Sequence, residues 1–449
     1  MQRLLLVAAL AVLTPAVRAD VQLPSVLASH MVLQRDKPLP IWGKASPGEE
    51  ISVSFNGQKA TTKADDKGDW KVVLKPVKAD GKAHKMTIAG QNSIELEDIL
   101  IGEVWVGSGQ SNMEWPMIAT EKAKERIAAA KHPNIRLFHV PKVQAPKPNF
   151  TVKASWAACT PDSVKNFSAV LYYFGVYLQG ELDVPIGLIN TSWGGSPIEP
   201  WTVTSSSSGT MYNAMVAPLM PFAVRGTLWY QGESNAFQRN GMKYRDKMAD
   251  LITGWRARWG QEMPFLFVQI APWQPEKGGY PEEELQKLWE AQVASLKIPG
   301  TGMAVTTDLV DNIKDIHPQN KRDVGIRLGL WAMAKTYGKK DIVYSGPLYK
   351  GMKVEGNKVR LSFAHVGGGL KSRDGKPLSE FEIAGADGKF VPAEAVIDGD
   401  NVVVSASSVE KPVEVRFGWK NITNPNLANK EGLPASPFRT KNWQGVTGE

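Results

Sequence analysis

The sequence has a single cysteine, six histidines, no paired metal-ligand spacing and no cluster of basic residues among its 449 positions. Each shortage removes a class of protein. With Cys159 alone no intrachain disulfide can form, so the fold rests on burial. Cys159 lies in Trp156-Ala157-Ala158-Cys159-Thr160 with no histidine beside it, which reads as a buried structural thiol rather than a nucleophile. The absence of H-x-H, H-E-x-x-H and paired-cysteine spacings gives no metal site. Gly107-Ser108-Gly109 lacks the third glycine of a dinucleotide fingerprint and no P-loop is present, so no nucleotide cofactor is expected. The 53 Lys and Arg exceed the 45 Asp and Glu, giving +8, but the excess is thinly spread. Nucleic-acid binders concentrate such charge on one stripe, so no nucleic-acid partner is expected.

Long apolar runs are also missing. A membrane span needs about 20 apolar residues. Residues 1–19 come nearest, and Pro15 and Arg18 interrupt them. Arg3, the apolar stretch 4–13 and Val17-Arg18-Ala19 instead predict a signal peptide, hence a periplasmic or extracellular protein with no membrane span. The whole sequence has 43% hydrophobic and 22% charged residues, an ordinary globular composition. At roughly 150 residues per domain its length predicts two to three domains.

The patterning divides the chain in three. In 20–98, alternating runs such as Glu50–Phe55 and 70–74 are separated by Asn56-Gly57 and Lys67-Gly68-Asp69, which predicts an antiparallel β module. In 99–341, apolar runs at 101–106, 185–189, 225–230, 265–270 and 302–306 alternate with helical stretches including 242–259, 281–296 and 318–337. Strands buried on both faces and alternating with helices predict a parallel α/β sheet. In 342–449, short strands at 358–363, Asn401–Ser405 and 413–417 return, with turns at Gly367-Gly368-Gly369 and Asp398-Gly399-Asp400, which predicts a second β module.

Open α/β sheets bind ligands beyond the carboxyl ends of their strands. Three such segments are polar and glycine-rich: Gly107-Ser108-Gly109-Gln110-Ser111-Asn112-Met113, Asn190-Thr191-Ser192-Trp193-Gly194-Gly195-Ser196, and Tyr230-Gln231-Gly232-Glu233-Ser234-Asn235. Together they could supply a nucleophile and an oxyanion hole. Ser111 would stand at a helix start. Ser234 lies in a near match to the G-x-S-x-G elbow, and Ser196 is a third candidate that reads more simply as a loop or capping serine. A serine nucleophile needs a base, and His317 follows the 302–306 run with Asp308, Asp311 and Asp315 nearby. Pro318 would stand in the first turn of the following helix.

These segments resemble the blocks of the SGNH hydrolase superfamily, and within it the chain resembles the sialate O-acetylesterase family of carbohydrate esterases. Gly109-Gln110-Ser111-Asn112-Met113 is similar to the nucleophile block, Trp193-Gly194-Gly195 to the glycine block, Trp229-Tyr230-Gln231-Gly232-Glu233-Ser234-Asn235 to the third and Asp315-Ile316-His317-Pro318 to the last. Outside them, Leu23-Pro24-Ser25, Met31-Val32-Leu33-Gln34-Arg35 and Ile41-Trp42-Gly43 resemble the family's N-terminal β module. The resemblance implies a flavodoxin-like SGNH core flanked by β-sandwich-like modules, with Ser111 as nucleophile, His317 as base and Asp315 as its partner. It also implies an O-acetylated carbohydrate substrate, sialic acid foremost, with no cofactor.

By the same resemblance the oxyanion is held by the Ser111 amide, by Gly194 or Gly195, and by a side-chain amide. The superfamily's third block usually reads G-x-N-D, so that last donor is Gln231 or Asn235, with Gln231 first off the strand. The last block usually reads D-x-x-H, whereas Lys314 occupies the usual acid position here; Asp308, Asp311 or a backbone carbonyl are the other groups able to orient His317. Gln110, Asn112, Trp115, Trp193 and Glu233 are the expected substrate contacts. The fifteen tryptophans suit a sugar, whose apolar faces pack on indole. Acetylated xylan or another glycan is the alternative substrate, and a glycan-binding protein with a silent hydrolase core the alternative class. Nothing in the sequence sets an oligomeric state.

Overall fold

A computed structural model describes residues 20–445. The expected signal peptide therefore lies outside the described residues. Among those described, no helix is long and apolar enough to cross a membrane.

The N-terminal strands follow their alternation. Glu50–Phe55 and Gln58–Lys63 form a hairpin across Asn56-Gly57, whose φ values of 47° and 73° are those a two-residue primed turn requires. Leu39–Lys44 pairs antiparallel with Asp69–Leu74, and His84–Ala89 pairs antiparallel with Glu50–Phe55.

One strand, Ser93–Gly109, joins this region to the core. Up to Asp98 it alternates in exposure and runs antiparallel to His84–Ala89; from Ile99 onward every residue is buried. Asp98 marks the change with φ 51°. Beyond it the strand runs parallel to Val32–Gln34, Ile186–Ser192 and Gly226–Tyr230. The apolar stretch after Asp98 is buried because strands and helices cover both of its faces, as in a parallel sheet.

The central sheet has the order Thr301–Ala304, Phe265–Val268, Gly226–Tyr230, Ser93–Gly109, Ile186–Ser192, His132–His139, Trp156–Cys159. All these pairings are parallel except the last. The architecture is mixed α/β with a mostly parallel core. Helices Tyr244–Trp259, Glu284–Ala294 and Lys321–Trp331 occupy the three expected helical stretches. Helix Ala169–Leu182 packs on Lys321–Trp331 so closely that a Cβ at Gly325 would lie 2.8 Å from Phe174 N and Val170 O. Pro318 is not in a helical turn as expected. The helix begins at Lys321, where the Asn320 side chain accepts from Asp323 N–H at 3.1 Å.

The C-terminal strands form two four-stranded sheets and a two-stranded one. Val359, Leu361, Ile383, Val402, Val404, Val415, Phe417 and Phe438 gather in an apolar cluster of their own. This region is tied to the core by Glu290, which accepts from Arg439 Nε at 2.9 Å and from Gln444 N–H at 2.7 Å. Cys159 is buried, and burial pushes its thiol up to about 12, which suits a structural role.

Candidate active site

Parallel register brings three loops together. Gly109 is level with Ser192 on one side and Tyr230 on the other, so the chains leaving all three strands emerge side by side at the carboxyl edge. Gly109 has φ 135°, and a Cβ there would lie 2.2 Å from Tyr230 O, so glycine is required. The chain then turns into the short helix Ser111–Glu114. As its first residue, Ser111 has a backbone N–H with no partner within the helix.

His317 arrives from the edge of the sheet, on the loop between Thr301–Ala304 and Lys321–Trp331. Its Nε2 is 2.8 Å from Ser111 Oγ. Asp315 stands on the other side of the ring, its Oδ1 accepting from His317 N–H at 2.9 Å and lying 3.3 Å from Nδ1. The tautomer protonated at Nδ1 faces Asp315 and leaves Nε2 to receive the serine proton. Asp308 is instead bound twice by Arg327, at 2.7 and 2.6 Å, and Asp311 accepts from Gln319 N–H. Burial, with the nearby Lys321 ammonium, moves His317 below its ordinary 6.5, while Asp315 opposes the shift.

Asn112, expected to contact substrate, is fully buried next to Ser111. Its Nδ2 donates to Glu233 Oε1 at 2.6 Å and to Ile316 O at 3.0 Å, and its Oδ1 accepts from Lys321 Nζ at 2.6 Å. It therefore fastens the serine helix to the histidine loop. Glu233 is likewise 2% exposed, and burial pushes its carboxyl up. Both polar residues were expected to contact substrate; instead Asn112 is bonded on both sides in the interior, while Glu233 Oε2 has no hydrogen-bond partner among the described residues. Lys321, which sequence reasoning missed, is wholly buried and brought down to about 7 by desolvation. A lysine opening a helix gives no sequence signal for burial.

The glycine turn meets Ser111 directly: a Cβ on Gly194 would lie 3.3 Å from Ser111 Cβ. Gly194 N–H donates to Glu114 Oε2 at 2.6 Å, and Glu114 Oε1 pairs with Lys142 at 2.5 Å. Gly195, at φ 76°, has an N–H with no hydrogen-bond partner among the described residues.

The two expected side-chain oxyanion donors are engaged inside the protein. Gln231 Nε2 donates to Asn235 Oδ1, Gln110 Oε1 and Ser196 O at 2.8, 3.1 and 3.3 Å; Asn235 Nδ2 donates to Glu199. Gln110, by contrast, accepts at Oε1 from Gln231 Nε2 and from Ser234 N–H, which leaves its own NH2 group undonated. Neither alternative serine meets a histidine. Ser234 Oγ donates to Gly195 O at 3.0 Å, and Ser196 Oγ donates to Trp193 O at 2.7 Å.

Trp115 stacks on His317. Trp193 is half-buried, its backbone N–H donating to Gly109 O at 3.0 Å, while Trp201 and Trp229 are fully buried core residues. Among the described residues no group of three His, Cys, Asp or Glu side chains could hold a metal ion.

A serine hydroxyl against a histidine, beside free backbone amides at the edge of a parallel sheet, is the equipment of acyl transfer. The chain is a carboxylic ester hydrolase. Residues 101–336 match the family described as carbohydrate esterase, sialic acid-specific acetylesterase. It is 32% identical to the human protein named sialate O-acetylesterase, over 92% of this chain and 91% of that one, and 31% identical to the mouse protein of that name, over 73% and 75%. The crystal structure of a carbohydrate acetylesterase from Xanthomonas citri superimposes with a TM-score of 0.89 at 42% identity, covering 94% of this chain and all of that one. The chain belongs to the sialic acid-specific acetylesterase family of carbohydrate esterases.

Proposed function

We propose that this protein is an exported O-acetylesterase that removes acetyl groups from sugars, sialosides foremost, through an acyl-enzyme on Ser111. The 2.8 Å contact between His317 Nε2 and Ser111 Oγ carries the reading. Ser111 Oγ attacks the acetyl carbonyl as His317 takes its proton. The oxyanion is held by the amides of Ser111 and the Gly194–Gly195 turn, Gly195 being the one left open, and by the unspent NH2 of Gln110. Collapse expels the sugar oxygen, protonated by His317. Water deprotonated by the same imidazole then attacks acetyl-Ser111 and releases acetate. Asp315 holds the ring in its working tautomer.

The organisation that goes with this reading is an SGNH-type, flavodoxin-like core over 99–341 between β-sandwich-like modules at 20–98 and 342–449, with residues 1–19 directing export. Without Arg3 and Arg18 of residues 1–19 the net charge falls by two, from +8 to +6, and its sign suits an anionic sugar. Acetate release from an acetylated sialoside and from acetylated xylan tests the assignment. The sialoside should be the better substrate, and its turnover should fall with salt while that of the neutral glycan does not. Preference for xylan overturns the choice of sugar, and acetate from neither overturns the function.

A further inference from the structure

Phe237 is the one aromatic among the large apolar side chains exposed in the described residues, at 45%. An exposed phenylalanine is unremarkable by itself. This one closes the helix Glu233–Phe237, which is hydrogen-bonded to both sides of the catalytic pocket. Ser234 N–H reaches Gln110 Oε1 at 3.2 Å, and Ser234 Oγ reaches Gly195 O at 3.0 Å.

The ring of Phe237 meets Trp273 edge-on, with centroids 5.5 Å apart and planes at 74°. Trp273 belongs to the catalytic-histidine loop as much as to its own. Its Nε1 donates to Lys314 O at 3.0 Å, and the next residue, Gln274, donates its N–H to Ile313 O at 2.9 Å. Lys314 stands three positions before His317, so the residue that holds the indole is at most about 11 Å from the histidine backbone. Tyr280 backs both rings, with centroids 4.9 Å from Phe237 and 5.2 Å from Trp273. Of the other tryptophans near the site, Trp115 is stacked on the imidazole, Trp201 and Trp229 lie in the core, and Trp193 is half-buried beside the glycine turn.

We propose that Phe237 and Trp273 are the platform on which a sugar ring of the acetylated substrate packs, and that they set the preference for sugar esters over simple acetates. This rests on the acetylesterase reading above. The pair spans the gap between the helix that braces the glycine turn and the loop that carries His317. It thus flanks the pocket where the alcohol part of the ester must lie once the carbonyl is at Ser111. A pyranose offers an apolar C–H face to such rings and keeps its hydroxyls in water.

The test compares wild type, Phe237→Ala and Phe237→Trp on three esters: an O-acetylated sialic acid, an acetylated xylo-oligosaccharide and 4-nitrophenyl acetate. Phe237→Ala should lower the ratio of kcat/KM on the sugar ester to kcat/KM on 4-nitrophenyl acetate by roughly tenfold, mainly through KM, the size expected for uncovering one apolar ring. Phe237→Trp should restore the ratio. A folded Phe237→Ala variant with the wild-type ratio overturns the platform, as does loss on all three esters in parallel. Wild type that cleaves 4-nitrophenyl acetate but neither sugar ester overturns the sugar reading itself, a separate and recognisable result.

Discussion

Trp115 lies flat on the imidazole of His317, with ring centroids 4.5 Å apart and planes inclined by 18°. The indole is itself fixed, because its Nε1 donates to Ala119 O at 2.9 Å. One face of the proposed general base is thus covered by a ring held in place by its own hydrogen bond. Trp115→Leu should lower kcat roughly two- to tenfold, the worth of one aromatic pair, with little change in KM. Steady-state constants separate the roles, and a rise in KM alone would make Trp115 a substrate contact instead.

If His317 is the base, as proposed, it must be neutral to accept the serine proton, and the acid limb of kcat/KM should follow it. Burial and Lys321 move it below 6.5, so the limb should have its midpoint below that value. Removing the ammonium in Lys321→Met should move the midpoint up, because a cation beside imidazolium no longer disfavours it. Removing the carboxylate in Asp315→Asn should move it further down. Shifts in the same direction for both variants would contradict this electrostatic arrangement.

Asp315 is 46% exposed at its side chain and 3.3 Å from Nδ1, a looser hold than a buried carboxylate provides. Asp315→Asn should therefore lose far less than the ~10⁴-fold seen when a buried triad aspartate is replaced. A loss of that full size in kcat would show that the contact tightens on substrate binding.

Gln110 is fixed at Oε1 by two donors, which leaves its NH2 available to the pocket. Gln110→Ala should lower kcat by about 10²–10³, as loss of one oxyanion donor does, with KM nearly unchanged. Wild-type kcat in this variant would remove Gln110 from the oxyanion hole.

Glu103 lies fully buried in the central strand and accepts from Arg35 Nε and Arg225 Nε at 2.6 Å and from Gln34 Nε2 at 3.0 Å. Burial pushes its carboxyl up, but Arg225, Arg35 and Gln34 outweigh burial and hold it below the usual range. Breaking such a cluster strands a buried charge, so Arg225→Met should cost about 3–5 kcal/mol in urea unfolding. The stability that Glu103 adds is present above the ordinary carboxylate range and is lost as pH falls through its depressed value. An unchanged unfolding midpoint in the variant would mean that the cluster adds no stability.

Much of this arrangement was legible in the residues. The central strand showed as an apolar run, the Asn56-Gly57 hairpin as a turn dipeptide, and Ser111 and His317 as polar residues just past buried strands. Other features left weaker signals. Helix Ala169–Leu182 is apolar on nearly all sides and lacks the periodicity that marks a surface helix. His132–His139 has polar ends and Trp156–Cys159 is four residues long, so neither stood out as a strand. Asn112, Glu233 and Lys321 have side chains that sequence reasoning places in water; only the fold reveals that Asn112 joins the other two in the interior. The choice of Gln110 over Gln231 and Asn235 as the free amide depends on hydrogen bonds between three loops, which spacing along one chain does not encode.

The central claim, that Ser111 is the nucleophile, is tested most directly by labelling the protein with a serine-directed fluorophosphonate and mapping the modified peptide. The label should fall on Ser111, and Ser111→Ala should lose both labelling and acetate release, the latter by about 10⁴-fold or more. Label on Ser234 or Ser196, or acetate release that persists in Ser111→Ala, would contradict it.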